Sequence, residues 1–446
     1  MAKPIIAIVG RPNVGKSTFF NRIAGERISI IEDIPGVTRD RIYADGEWLG
    51  VPFTMIDTGG ISIDSDDMIE SRVREQAFLA VDSADLILFF TDAKQGILPE
   101  DHEVASVLRR SDKPVITVVN KVDNLEQEND IYDFYELGLG DIYSISAVQG
   151  LGIGDLLDAV IAQLPDKNAD EEDSDSFKIA LVGKPNVGKS SLANRILGHD
   201  RSIVSDIPGT TRDAIDSDFV RNGKKYTIID TAGLRKKSRI EDKTVERFSV
   251  IRTLNAVRRA DVTVLMIDAN EGVSEQDLRI AGFIVSEGKP CVLCINKWDA
   301  IEKDTNTINE FKKDILTEFS FMTYAETVFI SALTGQRIDK MFDACENAKA
   351  NSEKRIKTGI LNECLSEATA AVAPPSDKGR RLKVFYATQV DVKPPSFVLF
   401  VNDTRLMHFS YLRYLENYFR KTFDFSGTPI KIMTRERDSK NDEEIR

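Results

Sequence analysis

The chain has 446 residues, 42% of them hydrophobic and 29% charged, with a formal net charge of −13. That length suits about three globular domains. No run of eighteen apolar residues offers a membrane span, four cysteines confined to the second half supply no disulfide framework, and the acidic balance excludes indiscriminate binding to nucleic acid.

The opening run Met-Ala-Lys-Pro-Ile-Ile-Ala-Ile-Val-Gly, residues 1–10, reads as a strand feeding a glycine-rich loop, with no cleavable signal ahead of it. The chain is therefore expected to be a cytoplasmic monomer without membrane attachment. The loop itself is Gly10-Arg11-Pro12-Asn13-Val14-Gly15-Lys16-Ser17, followed by Thr18. Such a loop holds a triphosphate because its backbone N–H groups point inward, its glycines permit close approach, and the next helix (about Ser17 to Ala24) presents its positive end. Lys16 is expected to reach the β- and γ-phosphates and Ser17 to ligate Mg²⁺. Thr38, in Pro35-Gly36-Val37-Thr38-Arg39-Asp40, can ligate Mg²⁺ when γ-phosphate is present and release it afterwards. Asp57 ends an apolar run and begins Asp57-Thr58-Gly59-Gly60. Its carboxylate can hold Mg²⁺ through water, while Gly60 offers a backbone N–H to the γ-phosphate.

Apolar strands are predicted at Leu86 to Phe90 and Val115 to Val119. The second leads into Asn120-Lys121-Val122-Asp123. A carboxylate at Asp123 accepts hydrogen bonds from N1–H and the N2 amine of guanine. Adenine presents neither there, and a mismatch strands a buried charge, so this motif selects GTP over ATP. Ser146-Ala147 would complete the base pocket with backbone N–H groups.

Everything then repeats. After an acidic run at 165–176, read as a flexible tether or an acidic interaction segment, the loop returns as Gly183-Lys184-Pro185-Asn186-Val187-Gly188-Lys189-Ser190, followed by Ser191, at an offset of 173 residues. Thr211 and Asp230-Thr231-Ala232-Gly233 keep that offset. Asn296-Lys297-Trp298-Asp299 stands 176 residues after its counterpart, and Ser331-Ala332 stands 185 after. Lys189, Thr211 and Gly233 therefore take the roles of Lys16, Thr38 and Gly60, with Ser190 and Asp230 as further Mg²⁺ ligands. Two motif sets in register leave no room for coincidence. Each copy alternates apolar strands with helical stretches, including strands at Val262 to Ile267 and Cys291 to Ile295, which argues for a mostly parallel sheet covered on both faces. Cys291 and Cys294 lie three apart on one such strand, point to opposite faces, and read as core rather than as metal ligands.

Beyond residue 350 the balance reverses. Residues 353–438 carry 15 Lys+Arg against 10 Asp+Glu. The predicted order is a helix from about Ser352 to Val372, strands at Leu382 to Val390 and Ser396 to Val401, an amphipathic helix from His408 to Phe423 and a strand at Pro429 to Met433. This α-β-β-α-β order suits a small α+β sheet with its helices on one face. The domain reading is 1–164, a linker at 165–176, 177–350, 351–438 and a polar tail at 439–446.

The two motif sets, each with Pro-Asn-Val-Gly-Lys-Ser and Thr-Arg-Asp, in tandem before a small α+β segment, resemble the double-Era-like GTPases called Der or EngA over essentially the whole chain. The resemblance implies two P-loop GTPase domains of α/β fold, a KH-like third domain, GTP hydrolysed to GDP at two sites with Mg²⁺, and a switch in assembly of the large ribosomal subunit through its rRNA. Ile61 and Leu234 stand where many GTPases carry a water-orienting glutamine, so turnover is expected to be slow. Similarity to Era-like GTPases with the same hydrophobic substitution implies a bound K⁺ with Asn13 and Asn186 as ligands. The alternative is that these asparagines only shape the loop. No Gly-x-x-Gly occurs after residue 350, so RNA clamping of the usual KH kind is not expected and packing on the GTPase domains competes with it. The basic run at Lys378 to Lys383 is read as a phosphate contact or a solvated loop, and that at Arg235 to Arg239 as touching RNA, another domain or solvent. A scaffold with one purely structural nucleotide site, or a switch acting on a non-ribosomal partner, stays open as a rival.

Overall fold

A computed structural model of the protein describes residues 3–26, 43–57, 77, 78, 80, 81, 84–123, 125–164, 176–199, 216–231, 244–302, 306–377 and 379–437. The chain forms two compact units. One holds the first copy and residues 244–255, and the other holds the rest of the second copy together with the C-terminal segment.

In the first unit, β1 (Ile5–Val9) is apolar at every position and wholly buried, as a central strand flanked on both sides must be. With β2 (Tyr43–Trp48), β3 (Val51–Asp57), β4 (Leu86–Asp92), β5 (Val115–Asn120) and β6 (Ile142–Ile145) it builds a sheet in the order β2-β3-β1-β4-β5-β6. All neighbours are parallel except the β2–β3 hairpin. Side-chain alternation divides β1 between two cores. Ile6 and Ile8 meet α1 (Lys16–Glu26) and a later helix, Ile153–Gln163, through Phe19, Phe20, Leu156 and Val160. Ile5, Ala7 and Val9 face the other side, where helix Pro99–Leu108, here α2, contributes Val104 and Leu108. The helix Ile153–Gln163 is α3. Each fully buried Phe or Leu in these layers contributes about 1.5–3 kcal/mol of transfer free energy.

The second copy repeats the plan. Its strands β7 (Ser176–Val182), β8 (Ser217–Arg221), β9 (Lys224–Ile229), β10 (Val262–Asp268), β11 (Cys291–Asn296) and β12 (Glu326–Phe329) run β8-β9-β7-β10-β11-β12, with β8–β9 the antiparallel pair. The helices are α4 (Lys189–His199), α5 (Thr244–Arg259), α6 (Glu275–Ser286), α7 (Thr307–Glu318) and α8 (Ile338–Ser352). Both sheets are therefore mostly parallel with helices on them, the expected α/β class. Two differences are informative. Ser176, placed in the linker on composition, opens β7. Each strand predicted from its apolar run continues one or two residues further, to Asp92, Asn120, Asp268 and Asn296. The apolar reading stops where the polar, chemistry-bearing residue begins.

The C-terminal segment keeps the order α-β-β-α-β with a shifted start. Ser352 ends α8, and the next helix, α9, is Thr358–Ala371. The backbone between them leaves the helix because the Ile356 N–H turns to Gln389 Oε1 at 2.7 Å. After a two-residue hairpin of β13 (Ser376–Asp377) and β14 (Arg380–Arg381) come β15 (Val384–Asp391), β16 (Ser396–Val401), α10 (Phe409–Phe423) and β17 (Lys431–Glu436). The sheet order is β15-β16-β17, antiparallel then parallel. Phe397, Leu399 and Val401 alternate onto one face and meet Leu361 and Leu365 of α9 and Leu415 and Phe419 of α10. Of the aromatics on α10, Tyr411 and Phe419 are buried, and the Tyr414 hydroxyl donates to the Ala368 carbonyl at 2.9 Å. No helix among the described residues is long and apolar enough to cross a membrane.

This segment packs on the second copy, so that side of the open expectation holds. Between α10 and β17 the Gly427 carbonyl accepts from Cys291 N–H at 2.8 Å, and Gly427 N–H donates to the Tyr324 carbonyl at 2.7 Å. Asn351 Nδ2 donates to the Ser426 carbonyl at 2.9 Å. The Arg420 guanidinium lies 4.9 Å over the Tyr324 ring. Gly427 has φ +76°, and a Cβ there would lie 2.5 Å from Ala348 Cβ and 3.0 Å from its Cα. Gly272 has a similar φ of +72° with nothing near it. Gly427→Ala should therefore lower stability by about 1–3 kcal/mol more than Gly272→Ala, the difference being overpacking rather than backbone strain. Urea unfolding of the two variants measures this, and equal losses would contradict it.

Candidate functional site

Among the described residues the recurring motifs lie at the carboxyl ends of the parallel strands, where open α/β sheets place ligands. In the first unit the loop from β1 to α1 curls around its own lysine. Lys16 Nζ donates to the Gly10 carbonyl at 2.5 Å and the Arg11 carbonyl at 2.8 Å. Lys189 does the same to Gly183 and Lys184, at 2.5 and 2.6 Å. Asn13 and Asn186 occupy left-handed backbone, φ +65° and +64°, which asparagine tolerates better than most residues. That conformation is the loop-shaping role left open beside K⁺ ligation. Pro12 and Thr18 are exposed, and Pro185 and Ser191 occupy the same two places in the second copy.

One side chain ties this loop to the base motif. Asn120, the last residue of β5, donates from Nδ2 to the Val14 carbonyl at 2.7 Å and accepts at Oδ1 from Ala147 N–H at 2.9 Å. Asn296 repeats it with Val187 at 2.7 Å and Ala332 at 2.9 Å. The bracket explains an adjacent glycine. A Cβ on Gly15 would lie 2.1 Å from Asn120 Nδ2, and one on Gly188 would lie 2.2 Å from Asn296 Nδ2. Only glycine leaves room for the amide.

The following lysines are held by carboxylates that motif reading missed. Lys121 Nζ meets Asp92 Oδ2 at 2.6 Å, and Lys297 Nζ meets Asp268 Oδ2 at 2.5 Å. The signal was present: Asp92-Ala93 recurs as Asp268-Ala269 with the same 176-residue offset as the base motif. Asp123 accepts at Oδ1 from the Ser146 hydroxyl at 2.8 Å and at Oδ2 from Lys94 Nζ at 2.6 Å. Hydrogen bonds from Lys94 and Ser146 hold its carboxyl below the usual range. Asp299 is exposed, and Ser331 is buried beside Ala332. A second missed contact anchors the loop from outside. The buried Arg11 Nε–H is shared between both Asp101 oxygens at 3.2 and 3.1 Å, and Asp101 is the capping carboxylate of α2. Lys184 stands in for Arg11, 2.8 Å from Glu271 and 3.9 Å from Asp277, the capping carboxylate of α6.

The Ser17 hydroxyl donates to Asp57 Oδ2 at 2.7 Å, which brings two hard oxygen donors together at the mouth of the loop. Asp230 follows β9 in left-handed backbone, φ +59°. A cavity of about 560 Å³ in the first unit is lined by Pro12, Asn13, Gly15 to Thr18, Asn120, Lys121, Asp123, Ser146 and Ala147, and Lys94 joins them. It thus unites the phosphate-side and base-side motifs. Thr38, Gly60, Ile61, Thr211, Gly233 and Leu234 lie outside the described residues, as do the runs 165–175 and 235–239 and Lys378.

A sequence model described as 50S ribosome-binding GTPase matches residues 5–121 and again 178–297, and one described as the KH-domain-like C-terminal part of EngA bacterial GTPase enzymes matches 355–435. A GTPase Der from Agathobacter rectalis is 57% identical over 438 residues, 98% of this chain and 99% of its own. The chain belongs to the Der family. Another Der, from Acetivibrio thermocellus, is 55% identical over 98% of this chain and 100% of its own. Among solved structures, Era from Aquifex aeolicus bound to GDP·AlF4⁻ is 21% identical, covers 59% of this chain and 93% of its own, and has a TM-score of 0.30. The FeoB G-domain from Methanococcus jannaschii is 24% identical over 37% of this chain and 99% of its own, with a TM-score of 0.28. As a Der family member, the protein is a GTP-binding GTPase with two α/β GTPase domains and a KH-like C-terminal domain.

The loop lysine carries a pH dependence. Burial pushes the Lys16 ammonium down to about 8, with Asp57 opposing and Arg11 adding to the shift. An anion needs the charged form, so above pH 8 binding must take up a proton. Phosphate affinity of the first loop should fall about tenfold between pH 7 and pH 9, where a lysine of ordinary pKa would hold it constant. Fluorescent GDP titrations across that range measure it, and a flat profile for every bound nucleotide would contradict it.

Proposed function

We propose that each copy binds one guanine nucleotide and hydrolyses GTP, and that the two states together switch the protein on and off the large ribosomal subunit during its assembly. The observation that carries the two-site reading is the repeated asparagine bracket, because Asn120 and Asn296 make the same pair of bonds with the same partners in both copies. A copy that held no nucleotide would have no need of an intact link between phosphate loop and base loop.

In this reading Lys16 and Lys189 turn from their loop carbonyls to the β- and γ-phosphates, and Asp123 and Asp299 take the guanine edge beside Ala147 and Ala332. Ser17 with Asp57, and Ser190 with Asp230, are oxygen donors of the kind Mg²⁺ takes, and Thr38 and Thr211 would join them. Mg²⁺, when bound, neutralises charge on the β- and γ-phosphates. Gly60 and Gly233 offer N–H groups to the γ-phosphate. Water attacks γ-phosphorus, the bond to the β–γ bridging oxygen breaks, and GDP and phosphate leave. Ile61 and Leu234 cannot orient that water, so turnover is slow, and a K⁺ held by Asn13 and Asn186 would supply charge as an arginine finger does.

The ribosomal target draws on the family description, a 50S ribosome-binding GTPase, which matches both copies. The C-terminal excess of positive charge supplies local attraction for rRNA in an otherwise acidic chain. Two measurements test these points. Turnover at matched ionic strength should be clearly faster in K⁺ than in Na⁺, and equal rates would remove the K⁺ role. The protein should co-sediment with large subunits under a non-hydrolysable GTP analogue and not under GDP. Absence from the particles in both states would remove the ribosomal target.

A further inference from the structure

The two copies part company at one place on the base side. Lys94 follows Asp92-Ala93, and Asn270 follows Asp268-Ala269. Both backbone N–H groups donate to the preceding carboxylate at 2.9 Å, so both side chains start from the same geometry. Their ends diverge. Lys94 Nζ reaches across to Asp123 Oδ2 at 2.6 Å. The Asn270 amide turns back to Asp268 Oδ1 at 3.2 Å, and Lys297 pairs with Asp268 rather than Asp299. Among the described residues, Asp299 has no lysine or arginine on its carboxylate.

We infer that Lys94 is a specificity-determining residue of the first site, an internal competitor for the carboxylate that recognises the base, with no counterpart among the described residues of the second. This rests on the proposed assignment of Asp123 and Asp299 to the guanine edge. Guanine brings two donors to that carboxylate, N1–H and the exocyclic N2 amine. Ser146 already donates to one oxygen and Lys94 to the other. The N2 amine must share Oδ2 with the ammonium or displace it, and gains less in either case. Hypoxanthine has no N2 amine and loses little by the same competition. The first site therefore holds guanine nucleotides less tightly than it would with asparagine at position 94, and separates them less sharply from hypoxanthine nucleotides. Lys94 is half exposed, so the effect is that of a surface ion pair, about two- to fivefold in affinity.

The test uses the full chain. In an Asp299→Asn protein, whose second site no longer accepts guanine, fluorescent GDP should bind once per chain instead of twice. Adding Lys94→Asn should then tighten GDP about two- to fivefold and raise the ratio of GDP to inosine diphosphate affinity, read by displacement. Lys94→Arg should leave both near the parent values. In the reciprocal Asp123→Asn background, Asn270→Lys should lower the GDP to inosine diphosphate ratio of the second site. GDP affinity unchanged or weakened by Lys94→Asn, or an unmoved ratio, overturns the inference. Two GDP per chain persisting in Asp299→Asn instead overturns the two-site reading on which it stands.

Discussion

The bracket made by Asn120, and again by Asn296, is the constraint on which each GTPase domain turns. One amide joins the carbonyl of the phosphate loop to the N–H of the base loop, across more than a hundred residues of chain. Burial makes it consequential: Asn120 and Asn296 are each about 2% exposed, and a buried amide or its partners left unpaired would cost about 1–3 kcal/mol per group. The neighbouring glycine, the strand order and the length of β5 and β11 all serve to bring that amide to its two partners. Lys121 and Lys297 follow in left-handed backbone, φ +69° and +61°, a strained conformation that their carboxylate partners Asp92 and Asp268 help to hold.

Around this shared frame the copies are not interchangeable. The first anchors its phosphate loop from outside through a buried, two-oxygen Arg11–Asp101 contact, whereas the second uses a lysine whose closer partner is the exposed Glu271. With Nε on Asp101, Nη1 on Gln95 and Nη2 on the Gly96 carbonyl, the planar guanidinium fixes orientation in a way that a single ammonium does not. The second copy in turn carries the C-terminal domain, docked through Gly427, Asn351 and Arg420. The KH-like sheet thus shares one compact unit with the strands of the second copy.

Much of this was legible before any coordinates. The doubled motifs named the phosphate and base loops residue by residue, and the continuous apolar runs announced buried parallel strands. The order of the C-terminal elements followed from their periodicities. What escaped notice had physical reasons. Asp92 and Asp268 end apolar strands as lone carboxylates, and nothing local marks them as partners for lysines 29 residues away. Arg11 and Lys184 sit at a variable place in the loop motif, and their capping carboxylates lie about ninety residues on. The break between α8 and α9 depends on Gln389 from a distant strand, so helical propensity alone ran the helix through it. Long-range polar contacts of this kind leave no periodic trace.

The proposed function requires two independent nucleotide sites, each assembled by its own asparagine. Equilibrium dialysis of the full chain with labelled GDP tests it most directly, comparing the native protein with Asn120→Ala and Asn296→Ala. Two GDP per native chain are expected and one for each single variant, with the surviving site at its native affinity. One GDP per native chain, or loss of both sites from either single substitution, would contradict it.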